Sequence, residues 1–510
     1  MKLLFNILFL FLCQLAAAQG IDGRTLFYDR LTDTYLCTVP EAWFDDGRVD
    51  NFTCDTATVR FTFLPVVHLQ GDFGYDYVEG TVSVVMPDDA SSQKNMTARV
   101  KWRGGSTNTA DKHKRNYSLK FVDAGGKKQD RKFFSLRNDN HWILDAAQVD
   151  LSRIRNRVAT DLWNDFAAKP YYFDREPKAK TGTRGQFVEV FLNDEYRGIY
   201  CMTECMDRSQ MKLKKYTDNA DGTQTIHGQL WKTSNFRFTA FGEYEDYDNE
   251  SETWGGFETK YPDIEDVCPT DYSLIYKIVK FSTDATDSEF EAEAAKYFDL
   301  KPTADYVLMM HLLNAIDNNS KNTYWACYDS KATEMITPGV WDLDVTVGQY
   351  FDPNDCHSDI VAADSVYEIG NWAFFRLDSL NVGGFHDYLS SRYQELRQTL
   401  FHPDSLTERY HSYMRMLTKC GAYEREAERW SGDSDIGGQT LDFAGEAEFI
   451  EQWIHRRIKV LDAHEYVTNG IRGVSIAPDP NDETMYSISG QRVGSGYRGI
   501  VIRGGKKVLL

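Results

Sequence analysis

The stretch NAIDNNSKNTYW, residues 314–325, sets Asp317 five positions before Asn322, between an apolar run and a strand-like run. Upstream, TADYVLMMHLLNAI (residues 303–316) is apolar nearly all round, the pattern of a helix buried on every side. Downstream, NTYWACYD (322–329) reads as a strand, a turn falls near DSKATE, and MITPGVWDLDVTVG (335–348) carries Asp342 and Asp344. The order is therefore helix, loop, hairpin, carboxylates. Phosphoryl transfer needs a carboxylate to orient or deprotonate the acceptor hydroxyl, plus an amide oxygen and further carboxylates to hold a divalent cation. This stretch supplies all three. A D-x4-N spacing alone carries little information, because Asp and Asn populate loops for turn-forming reasons.

Working outward, KWRGGSTNTADKHKRNYSLKF (101–121) combines a Gly-containing loop and several cations with a strand in which Tyr117, Leu119 and Phe121 share one face. Ser118 and Lys120 take the other. The segment DLSRIRNRVATDLWNDF (150–166) repeats apolar residues at Leu151, Ile154, Val158, Leu162 and Phe166, and predicts an amphipathic helix with Asp150 as its N-cap. QFVEVFLNDEYRGIYCMTE (186–204) is a hairpin about Asn193-Asp194 that ends at Glu204. Residues 206–282 have little periodicity and read as an irregular insertion. Helices are expected at 385–398, 403–418 and 444–464, and short strands with Gly follow residue 470.

The 510 residues imply two or three domains. Against 77 acidic residues stand 57 basic ones, a net charge of −20 that repels nucleic acid and anionic membrane on average. The first 18 residues, MKLLFNILFLFLCQLAAA, have the anatomy of a secretory signal peptide with cleavage after Ala18, and no later run is long enough to span a bilayer. The expected location is therefore periplasmic, cell-surface or extracellular. In that oxidising setting Cys37 and Cys54 form the expected local bridge. Cys201 and Cys205 lack the second ligand pair a zinc site requires.

The blocks RGGS…KRNYSLKF, WILDAAQVDLSRIRNRVA, VEVFLNDEYRGIYCMTE, NAIDNNSKNTYW and WDLDVTVG occur in an order that resembles the spore-coat kinase family called CotH, over residues 95–465. The resemblance implies an α+β, atypical protein-kinase-like fold that transfers the γ-phosphoryl of ATP to protein Ser or Thr with Mg2+ or Mn2+. It implies Asp317 as the catalytic aspartate and Asn322, Asp342 and Asp344 as metal ligands, leaving open which Asp dominates. Arg103, Gly104, Ser106 and Lys120 would lie near the phosphates, and Glu204 where a kinase hinge begins. The chain departs from conventional kinases in three ways: Ala315-Ile316 replaces His-Arg before the aspartate, DVTVG replaces D-F-G, and Asp161 is the one candidate partner for Lys120 on the helix. The expected organisation is a signal peptide (1–18), a β-rich region (19–94), the CotH-like domain (95–465) and a C-terminal β module (470–510) for sorting or attachment.

A second reading, a cell-surface adhesin on a degenerate CotH fold with a cellular or glycan partner, suits an exported protein because ATP is normally cytoplasmic. A glycoside hydrolase is a weaker third reading. It rests on Asp342 and Asp344 sharing one strand face. Joint retention of Asp317, Asn322, Asp342 and Asp344 favours the kinase, since an adhesin has no chemical use for the set.

Overall fold

A computed structural model describes residues 23–49, 52–54, 57–234, 240–247, 249, 251–263, 270–365 and 371–464, with short strand segments between 485 and 509. The signal-peptide assignment lies outside the described residues. The chain forms two compact units, one of Met1–Ile154, Arg184–Cys205 and His411–Glu446, the other of Arg155–Thr183, Met206–Tyr410 and Ala447–Leu510.

The first unit opens with a small sheet of β1 (Leu26–Asp29), β2 (Thr34–Thr38), β3 (Phe52–Cys54) and β4 (Ala57–Thr62), in the order β1-β2-β4-β3. Cys37 on β2 is a free, buried thiol, and the side chain of Cys54, its expected partner, lies outside the described residues. Burial among apolar neighbours pushes that thiol up to about 12 and leaves it inert.

A closed barrel follows, built from β5 (Val66–Gln70), β6 (Val78–Val85), β7 (Gln93–Arg103), β8 (Asn116–Phe121), β9 (His141–Asp145), β10 (Gly185–Leu192) and β11 (Glu195–Thr203). Its order is β9-β11-β10-β5-β6-β7-β8, with β8 pairing back to β9. All neighbours are antiparallel except β10 on β5. Residue 94, the expected boundary, falls inside β7, and β5 and β6 close the same barrel as β7 to β11. Tyr117, Leu119 and Phe121 of β8 fill the interior with Val67, Val100, Trp142, Val188 and Met202. The β10–β11 hairpin turns at Asn193, whose φ is +53°.

Helix α1 spans Arg155–Phe166, four residues later than the apolar repeat from Leu151 alone predicts. Asp150 caps a turn instead, accepting from the Ser152 amide and hydroxyl at 2.8 and 2.7 Å. Arg153 has φ +63°, and its guanidinium donates to the carbonyls of Ala147, Gln148 and Asp150, which holds that turn out of the helix.

In the second unit, α2 (Leu300–Leu313) is buried on nearly every side, as its composition requires. The presumed irregular insertion is corrected: it contains β12 (Gln229–Thr233), β13 (Thr253–Trp254) and β14 (Phe257–Tyr261) and a helix at Ser273–Asp284. These strands join β15 (Tyr324–Cys327) and β16 (Thr337–Gly339) in a sheet of order β13-β14-β12-β15-β16. They are only two to five residues long, so no extended alternating run marks them. Further helices lie at Trp372–Ser379, Phe385–Arg397, Pro403–Lys419 and Phe443–His464, and α3 spans Ala422–Trp430. Among the described residues no helix is long and apolar enough to cross a membrane. Within the expected C-terminal module, segments 485–487, 492–493, 500–503 and 506–509 form a four-stranded antiparallel sheet.

The first unit is fastened by Glu426 of α3, which is fully buried. It accepts from Lys114 Nζ at 2.5 Å, Arg153 Nε at 2.8 Å and the Ile199 amide at 2.7 Å. Burial pulls the Lys114 ammonium below the ordinary lysine value while Glu426 opposes that shift. Gly198, at φ +95°, is needed here because a Cβ would run into Glu426 Oε2. We expect Glu426→Ala to cost about 3–5 kcal/mol, since it strands two buried cations. Gly198→Ala should destabilise through the same carboxylate, so the double variant should fall short of the sum in urea unfolding.

Candidate active site

In the second unit, α2 ends at Asn314, whose φ of +48° turns the chain out of the helix and into the short turn Ile316–Asn318. Tyr306 of α2 braces that turn. Its hydroxyl donates to the Asn318 carbonyl at 2.7 Å and meets Thr323 Oγ1 at 2.7 Å. Asn318 Nδ2 donates to the Trp341 carbonyl at 2.7 Å and so ties the turn to the DLD segment. The Asn322 amide donates to the Thr233 carbonyl at 2.9 Å, anchoring the far end on β12.

These anchors place Asn322 Nδ2 2.7 Å from Asp317 Oδ2. Lys321 Nζ donates to Oδ1 and Oδ2 of the same carboxylate at 3.2 and 3.1 Å. Asp317 is 8% exposed, and burial pushes its carboxyl above its ordinary value. Lys321 opposes the rise, the charge of Asp342 adds to it, and Lys232 on β12 opposes it. The structure therefore brings together Asp317, Asn322 and Asp342, and adds Lys321 and Lys232, which the motif reading missed. The signal for Lys321 was its four-residue spacing from Asp317; Lys232 had none, because β12 was not recognised.

Asp342 and Asp344 do not sit in a strand. The strand β16 ends at Gly339, and Asp342 has φ +61°. The same-face argument behind the glycosidase reading is thereby corrected. Both carboxylates are half-buried and flank buried Leu343, whose amide donates to Asn156 Oδ1 on α1 at 3.0 Å. Asp161, also on α1, is engaged by Arg157 through bonds of 2.9 and 2.7 Å.

In the first unit, Arg103 and Gly104 lead into the turn Ser106–Asn108. Gly104 has φ +126°, a conformation L side chains avoid, and a Cβ there would press on Thr107 Oγ1. Asn116 faces Arg103 across the ladder, while Lys120 faces Arg99. The Arg103–Ser106 turn and Lys120 are thus separated by four residues, about 13 Å along the strands. Lys120 points away from the barrel core. Its ammonium lies 4.7 Å from the Tyr77 ring centre, as does that of Lys101. Tyr77, Ser118 and His141 form a chain of 2.8 Å hydrogen bonds on this same outer face. Sequence reasoning missed Lys101, Tyr77 and His141, because strand pairing alone brings them beside Lys120.

Glu204 is fully buried and accepts from the Arg137 amide at 2.9 Å, the Arg184 amide at 3.0 Å and Arg184 Nη2 at 2.7 Å. Burial alone would raise its carboxyl, but these hydrogen bonds outweigh it and hold the group below the usual range. Both oxygens thus tie the end of β11 to residues 137 and 184.

A family model described as CotH kinase protein matches residues 100–461. The chain belongs to that family. No curated protein matches it. The CotH match covers all of the residues that resemblance assigned to the site, and its limits agree closely with the 95–465 expected from five motif blocks.

The oxygen donors of this CotH protein suit a hard divalent cation: carboxylates at Asp342 and Asp344 and the carbonyl of Asn322, whose amide nitrogen is used on Asp317.

Because folding raises the Asp317 carboxyl, the folded state binds its proton more tightly than the unfolded chain does. Wild-type stability is lost as pH rises from the unfolded value, about 3.9, through the raised folded one. Asp317→Asn, which does not titrate, should unfold at least as late in urea as wild type at pH 7, and that advantage should shrink toward pH 4. An Asn variant clearly less stable than wild type at pH 7 would contradict the burial assignment.

Proposed function

We propose that this CotH protein is an exported, ATP-dependent protein kinase that phosphorylates Ser or Thr of a protein acceptor. The observation that carries the reading is the buried Asp317 carboxylate held by Asn322 at 2.7 Å and influenced by the charge of Asp342. Burial makes Asp317 a better proton acceptor than an exposed aspartate, which suits it to orient an acceptor hydroxyl and take its proton. Asn322 fixes one carboxylate oxygen. Lys321 supplies positive charge beside the same group and limits how far burial raises it.

Asn322, Asp342 and Asp344 are the residues that would hold Mg2+ or Mn2+. When bound, that cation neutralises phosphate charge during transfer. Arg103, Ser106 and Lys120, together with the backbone at Gly104, are the proposed phosphate contacts. Glu204 supports its strand end through the Arg184 and Arg137 bonds and is proposed as a positioning residue. Export is proposed from the apolar N-terminal run, Lys2 and the small residues before Gln19.

Incubated with γ-labelled ATP and Mg2+ or Mn2+, the purified protein should label itself or a Ser-rich acceptor. Asp317→Asn should reduce the rate by at least about 100-fold with folding intact. Asp342→Asn and Asp344→Asn should raise the metal concentration needed for half-maximal rate, and the larger effect identifies the main ligand. A wild-type protein that neither binds nucleotide nor labels any acceptor, yet binds cells or glycans, would replace this reading with the adhesin.

A further inference from the structure

The loop Gly432–Gly438 reads GDSDIGG and presents Asp433 and Asp435 on either side of Ser434. Asp433 caps the short turn Ser434–Ile436 by accepting from the Asp435 amide. More than 300 residues earlier in the chain, His113 reaches this loop within the same unit. Its Nδ1 lies 2.9 Å from Asp433 Oδ2 and 3.1 Å from Oδ1. One ligand atom each from His113, Asp433 and Asp435 falls within 4.8 Å of the others.

An ordinary ion pair would account for His113 and Asp433. It does not account for Asp435. That residue is 4% exposed, and its Oδ2 accepts the amides of both His113 and Lys114 at 2.9 Å. Its Oδ1 is buried with no hydrogen-bond donor among the described residues. The nearest cation, Lys112 Nζ, stands 3.9 Å away, beyond hydrogen-bonding range, and also lies 3.6 Å from Asp111. A buried carboxylate oxygen left without a donor costs free energy unless a cation meets it. The two backbone bonds hold Asp435 in place whether or not an ion is bound, so the oxygen is preset.

We propose that His113, Asp433 and Asp435 form a second divalent-metal site, distinct from Asn322, Asp342 and Asp344, that takes a borderline cation of the Zn2+ class. One imidazole nitrogen and two carboxylate oxygens are a set such an ion accepts, with water completing a four-coordinate shell. The harder Mg2+ favours all-oxygen surroundings, so the two sites divide by ligand chemistry. Binding clips the segment before β8 to the loop after α3, and so stabilises the folded first unit by mass action. The site does not depend on the kinase reading.

The test is calorimetric titration of the chelator-stripped full chain with Zn2+ in excess Mg2+, with thermal unfolding followed in parallel. One Zn2+ should bind and raise the melting temperature. Affinity should fall at least about tenfold in Asp435→Asn and in His113→Gln, and remain in Asp342→Asn. His113 is exposed, so its variant tests the site even where Asp435→Asn folds poorly. Absence of Zn2+ binding, binding that survives His113→Gln unchanged, or binding lost only in Asp342→Asn would each overturn the proposal.

Discussion

Glu426 is the point on which the first unit's architecture turns. A fully buried carboxylate is unfavourable by itself, yet three donors from separate parts of the chain converge on it: Lys114, Arg153 and the Ile199 amide. Each brings a loop with it. Lys114 leads into β8, Arg153 holds the turn that delays α1, and Ile199 lies on β11 where Gly198 leaves room for the carboxylate. The neighbouring pair Arg425–Glu189, at 2.7 and 2.8 Å, repeats the device on β10. Such buried pairs gain little net stability over apolar packing but penalise every arrangement that leaves one partner alone.

The candidate catalytic turn obeys the same logic in the second unit. Asp317 tolerates burial because Asn322 and Lys321 stay within hydrogen-bonding distance; the Asn322 amide is held on Thr233 of β12, and Tyr306 braces the turn through Asn318 and Thr323. Three residues in the left-handed region, Asn314, Asn322 and Asp342, bend the chain at each edge of the site. Asn and Asp pay less than other side chains for that conformation. Their presence at those bends is thus a backbone requirement as much as a chemical one, and a bare D-x4-N is ambiguous until its hydrogen bonds are known.

Much of this was legible in the chain. The buried helix Leu300–Leu313, the hairpin about Asn193, the helices at Phe385–Arg397 and Pro403–Lys419, and the outward face of Lys120 all follow from local periodicity. The pairing of Asp317 with Asn322 was readable as a motif with a chemical purpose. By contrast, β12 and β14 lie hidden in an acidic, aperiodic stretch, and the apolar repeat before α1 continues through a turn that Arg153 holds out of the helix. Each miss arose where a contact from elsewhere overrode a local pattern.

The linear order of residues by itself determined which segments are apolar enough to be buried, where Gly and Asn let the chain turn, and that the chain carries the ordered motifs of the CotH family. Only tertiary structure decided that β5 and β6 belong to a barrel with β7 to β11, that Glu426 answers Lys114, that Lys232 acts on Asp317, and that His113 meets Asp433 and Asp435. The reason is range. Periodicity and turn propensity act over a few neighbours, whereas barrel closure and the pairing of buried charges join residues up to hundreds of positions apart, and no local pattern names the partner.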